Sequence, residues 1–137
     1  MIFKKIKPLF FIIFFTFSNF ITAYKIEELV PLYKVTPKYP QEAIDKSIGG
    51  YVLVDFTVYK DGKIDDLMIL ESYCAQGNFT NLPEDQINFY KCDIFNETSV
   101  KTAFKLRYPP RTDILQGVTH QFTFITDKDA KESKNSK

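Results

Sequence analysis

Three sets of residues in this sequence have the right chemistry to be reactive: Cys74 with Cys92, His120, and the acids Asp65, Asp66 and Glu71. The cysteines are the only two in the chain, and their separation excludes a Cys-x-x-Cys redox centre. In an oxidising compartment an even pair is most simply a disulfide. Closing a loop of that length would contribute about 3 kcal/mol in the chain-entropy model. A single histidine leaves no His-based metal cluster, and no GxSxG, HExxH or glycine-rich phosphate loop occurs. Neighbouring residues of a strand face opposite sides, so Asp65 and Asp66 converge only if a bulge turns one of them. Flanked by Val118, Phe122 and Phe124, His120 reads as a packed or rim histidine. The expectation is a binding module, not an enzyme, with no catalytic residue, metal or cofactor.

These residues lie downstream of an N-terminus unlike the rest. Lys4, Lys5 and Lys7 form a short basic region, Leu9 to Phe17 is apolar apart from Thr16, and Ala23 ends the stretch on a small residue. That order reads as a signal peptide over 1–23. A membrane helix wants roughly 20 apolar residues, and Leu9 to Ala23 offers 15, Ser18 and Asn19 included. The expectation is export across a membrane, with anchoring in the inner membrane if the leader stays. Loss of three lysines and no acid would take the formal charge from +1 to −2. Without a basic block the chain lacks the electrostatic footprint of nucleic-acid binding. The remaining length can bury roughly 60–70% of its unfolded surface, enough for one modest core.

The elements that would position the candidate residues follow from periodicity. An extended segment, 24–36, precedes a short helix from Tyr39 to Gly50, with Pro40 at its start, Ala43, Ile44 and Ile48 on one face, and Gly49-Gly50 as the stop. Val52, Val54, Phe56 and Val58 alternate with more polar neighbours, the mark of a half-buried strand. Asp61-Gly62 turns a hairpin. The second strand, Ile64 to Ser72, slips parity, which predicts a bulge near Asp65-Asp66. After a long insertion, 73–92, Asn96 is the expected cap of a helix, with Phe95 packing on Val100 as a staple. Val100, Ala103 and Phe104 should carry its buried stripe, and Pro109-Pro110 closes it. The last strand, Val118 to Ile125, puts His120, Phe122 and Phe124 on one face and Thr119, Gln121 and Thr123 on the other. A polar tail, 127–137, is expected to be disordered. The fold class is α+β: a two-layer sandwich, a three-stranded antiparallel sheet with helices on one face.

An open sheet has edges with unpaired N–H and C=O groups, where an extended peptide can add as a further strand. The ordered set Tyr39-Pro40, Ala43, Gly50, Val52, Val54, Phe56, Val58, Asp61-Gly62, Leu67, Ile69, Ser72, Phe95, Ala103, Tyr108, Pro110, Gly117, Phe122 and Phe124 resembles the C-terminal domain of the TonB family. The resemblance runs from Pro37 to Ile125, within a domain placed at 37–126. It implies a periplasmic protein that grips an extended segment of an outer-membrane transporter, in support of transmembrane transport. By that resemblance the partner contacts are Thr36, Lys38, Tyr39 and Pro40 with Thr119, Gln121 and Thr123; Tyr39 and Pro40 can equally be read as merely starting a helix.

Departures from the family pattern bear on function. The leader has no histidine for coupling to a proton channel. Only 15 residues, Tyr24 to Lys38, precede the domain, a reach of about 50 Å. Leu106 stands where the family usually has Trp, and the cysteine-bearing insertion is extra, either a staple or a recognition loop. The leading expectation is a free-standing adaptor for an outer-membrane transporter or other envelope protein. The alternative is a structural or assembly component of an envelope complex, with homodimer formation through a sheet edge as its sign.

Overall fold

The computed structural model describes residues 29–77, 79 and 82–126. The expected leader, the first residues of the extended segment and the polar tail lie outside that range. The elements run α1 (Gln41–Asp45), β1 (Ile48–Val58), β2 (Ile64–Gln76), a 3-10 turn (Glu84–Gln86), β3 (Tyr90–Lys91), α2 (Asn96–Ala103) and β4 (Leu115–Phe124). The strands form one antiparallel sheet in the order β3-β2-β1-β4. The sheet therefore has four strands where three were expected. The additional one is the two-residue β3, which the insertion lays against Tyr73 and Cys74. Two residues are too few to show any periodicity in a sequence.

β1 is central because its alternation supplies the core: Val52, Val54, Phe56 and Val58 are fully buried. Each such side chain contributes on the order of 1.5–3 kcal/mol of transfer free energy. They meet Ala43 of α1, Phe95 at the start of α2, Ala103 at its end, and Leu106, Tyr108, Phe122 and Phe124. Helices on one face of an antiparallel sheet give the expected two layers. Leu106 is wholly inside this core.

Between β1 and β2, Gly62 adopts φ +82 and its N–H donates to the Tyr59 carbonyl at 2.9 Å. A Cβ at Gly62 would lie 1.9 Å from the Tyr108 carbonyl oxygen, so the turn also packs directly against the backbone that follows α2. The expected bulge is present: the register shifts between Asp55 and Thr57, and Asp66 takes φ +55. A second shift, between Leu53 and Val54, leaves Leu70 as an extra residue in β2.

Both helices differ from expectation. α1 stops at Asp45, and Ile48, Gly49 and Gly50 open β1 instead of ending the helix. Backbone proximity explains this use of glycine, because a Cβ on Gly50 would sit 2.1 Å from the Tyr73 carbonyl oxygen. Ala43 is buried as expected, but Ile44 is exposed. In α2 the cap position falls on Phe95, with no side-chain cap bond. Asn96 is the first helical residue, and its side-chain oxygen accepts a hydrogen bond from the Ser72 hydroxyl. The buried stripe is Ser99, Thr102 and Ala103, while Val100 is half-buried and Phe104 exposed. Phe95, stacked on Phe124 with ring centroids 4.1 Å apart, sets the rotation of the helix more firmly than its own apolar residues do.

Candidate protein-docking edge

The two edges of the sheet are built differently. β4 pairs only with β1 among the described residues, leaving one side open along Leu115–Phe124. Its sequence, LQGVTHQFTF, holds no charged residue apart from a titratable histidine. A register shift near Gly117 (φ +70) is confined to its start, and from Val118 to Phe124 the pairing with β1 is regular. Thr119, Gln121 and Thr123 are exposed on the face away from the helices.

β2, at the other side, is a poor template. β3 already occupies the positions opposite Tyr73 and Cys74, and the Cys92 N–H donates to the Ser72 carbonyl at 3.3 Å. Two bulges interrupt the remainder, and Asp65, Asp66 and Glu71 line it with negative charge. Bulges, charges and a covering segment are the devices that blunt an edge against strand addition. The acids do not form a pair. Asp66 accepts the Tyr59 hydroxyl at 2.6 Å, Asp65 accepts the Asp66 N–H at 2.8 Å, and Glu71 accepts the Tyr51 hydroxyl at 3.0 Å.

The insertion holds that covering segment in place. Cys74 and Cys92 are disulfide-bonded, with Cα atoms 5.7 Å apart. On the outer face Tyr51 stacks on Tyr73 across the strands at 5.7 Å, and Phe89 meets Tyr51 edge-on at 5.4 Å. Phe79 packs on Phe89, and so closely over Gly49 that a Cβ there would lie 2.4 Å from its ring. This second, aromatic cluster was missed from sequence, although Phe79 and Phe89 in so polar a stretch were the available signal.

The residues expected to touch a partner fall in two places. Thr119, Gln121 and Thr123 share the exposed side of β4. Lys38, Tyr39 and Pro40 line a cleft of about 370 Å3 against α2, with Ile94, Thr98 and Lys101. Thr36 is exposed just before them. The Lys38 carbonyl accepts the Thr98 hydroxyl at 2.7 Å. Tyr39 packs edge-on against both Phe95 and Phe124 at 5.7 Å, and its hydroxyl donates to the Ile48 carbonyl at 2.6 Å. Tyr39 is thus a packing residue that links the N-terminal segment to the last residue of β4.

His120 is the titratable group of the edge. It pairs across the sheet with buried Val54, and its ring meets Phe122 at 4.7 Å. Burial lowers its pKa by disfavouring the imidazolium.

Comparisons with known proteins agree with this architecture. Residues 35–76 match the family model described as the Gram-negative bacterial TonB protein C-terminal. That span holds the N-terminal segment, α1, β1 and β2, but not β4. The solution structure of the Pseudomonas aeruginosa TonB C-terminal domain is similar at 25% identity, with a TM-score of 0.50, covering 74% of this chain and 89% of that one. No curated protein matches the chain. The matched segment and the similar fold together support a likeness to the TonB C-terminal domain.

Proposed function

We propose that this domain works in the periplasm as an adaptor that binds an extended segment of an outer-membrane transporter, or of another envelope protein, by strand addition. The added strand lies along the outer edge of β4, in support of transmembrane transport. One observation carries the reading: of the two sheet edges, β4 is uncharged, open and regular from Val118 onward, whereas β2 is bulged, acidic and covered by β3 at Tyr73 and Cys74. Backbone hydrogen bonds would supply affinity, and Thr119, Gln121 and Thr123 would read alternate side chains of the segment. Thr36, Lys38 and Pro40 contribute beyond the end of the strand, where Tyr39 abuts Phe124.

The test is an NMR titration of the disulfide-bonded protein with N-terminal peptides of outer-membrane transporters from the same organism. Saturable shifts of the Thr119 to Thr123 amides are expected. Their absence at millimolar peptide would remove the adaptor role. A structural or assembly role draws on Met68, Leu70 and Tyr90, which stay exposed beside the insertion. Concentration-dependent oligomers that survive mutation of β4 would favour that alternative.

A further inference from the structure

Where the chain turns from Pro110 into β4 it leaves an open cavity of about 520 Å3, with Leu29, Val30, Pro110 and Leu115 among its apolar walls and Thr112 and Asp113 as polar ones. Arg111 is set among these apolar groups. Its backbone N–H donates to the Lys60 carbonyl at 2.8 Å, which fixes the residue beside the turn of the β1–β2 hairpin. The side chain is 23% exposed, and its Nε is shielded and donates to no acceptor. The nearest carboxylate among the described residues is Asp113, 3.6 Å from one terminal nitrogen and itself 67% exposed. That is an ion pair without a hydrogen bond.

A guanidinium has five N–H donors in a rigid fork, a shape that matches a carboxylate through two parallel bonds. Apolar walls raise the cost of leaving such donors without partners, and strengthen any pairing made there. Leu115 is both a wall of the cavity and the first residue of β4. A segment lying along β4 would therefore end at this cavity. β4 has no charged side chain of its own, so charge discrimination at the edge falls to the loop that precedes it.

We propose that this cavity is a carboxylate-binding site, in which Arg111 takes an acidic residue at the end of the extended partner segment docked on β4. The inference rests on the docking reading above and adds to it the chemistry of one partner side chain. Asp113 acts as a competing internal acceptor, and the partner's acid displaces it.

Two short peptides of alternating Thr and Val, blocked at both ends and differing only in Glu or Gln at one end, test this by NMR. Each is made in both sequence directions, and the β4 amides and the Arg111 Nε–H are followed in the disulfide-bonded protein. The Glu peptide of one direction should bind about tenfold tighter than its Gln partner, as expected for a charge-assisted bond, and should shift Nε–H. The preference should vanish in Arg111→Gln and widen in Asp113→Asn. Equal affinities for the two peptides, or a preference that survives Arg111→Gln, would overturn the site while leaving strand addition standing. If neither peptide moves the β4 amides, strand addition fails, and N-acetyl-leucine against N-acetyl-leucinamide then decides the cavity alone. An Arg111 Nε–H shift with the acid only upholds a carboxylate site; no shift with either overturns it.

Discussion

Phe95 and Phe124 stack with their rings inclined by 16°, so the start of α2 and the end of β4 are a single packing unit. Tyr39 closes the unit edge-on against both rings. The β4 edge is thus held at one end by backbone pairing to β1 and by an aromatic triad that reaches the N-terminal segment.

Replacing Phe95 with Ala should therefore cost about 3–5 kcal/mol, the range for a buried aromatic. Urea unfolding followed by circular dichroism measures it. The same variant should weaken peptide binding on β4, with the loss largest at the Thr123 end. A variant that unfolds more easily but binds peptide unchanged would show that the triad does not order the edge.

Cys74→Ser with Cys92→Ser should lose about 3 kcal/mol of stability. It should also release β3 from β2, since Tyr90 and Lys91 make the only strand pairing between Gly77 and Cys92 among the described residues. A freed edge invites pairing between copies. Size-exclusion chromatography is expected to show dimers or larger species for the double variant at concentrations where the oxidised protein is monomeric.

Ser99 is fully buried, and its hydroxyl has no hydrogen-bond partner. A buried polar group without a partner carries an uncompensated desolvation cost of about 1–3 kcal/mol. Ser99→Ala should leave stability unchanged or raise it by up to about 1 kcal/mol, read as the midpoint of urea unfolding. A clear loss would reveal a bond made by that hydroxyl.

The lowered pKa of His120 has a definite sign. Its cause is burial, so in acid the unfolded chain takes up the proton before the native one does. The His120 contribution to stability is complete above the ordinary imidazole value of about 6.5. It is lost as pH falls from there to the lowered native value. Unfolding midpoints of the wild type should drop across that window, and those of His120→Gln should drop less. NMR titration of the imidazole ring gives the native pKa directly.

Much of the fold was legible because β1 is central and alternates: its four apolar residues and the Asp-Gly turn that follows all have local causes. The bulge at Asp66 was also readable, since a parity slip between Ile64 and Leu67 puts one residue too many on that strand. The start of β1 was not. Gly49 and Gly50 look like a helix stop, but the approach of Phe79 and the Tyr73 carbonyl from distant parts of the chain is what requires them. The rotation of α2 was hidden for a similar reason, because Phe95 finds its partner on β4 and not on the helix itself. In the candidate site, Thr119, Gln121 and Thr123 could be placed on one face by alternation alone. That β4 would be the better edge could not, because it depends on the bulges and the cap of a strand two places away.

The strand order has a kinetic consequence. β1 and β2 meet through a tight turn, but β4 reaches β1 only after the hairpin, the insertion and α2 have been laid down. Closing so long a stretch is entropically costly, and pairings of high sequence separation form slowly. The cross-link between Cys74 and Cys92 shortens the path the chain must close. Oxidation of the two thiols should therefore hasten docking of the last strand, on which the proposed partner site depends.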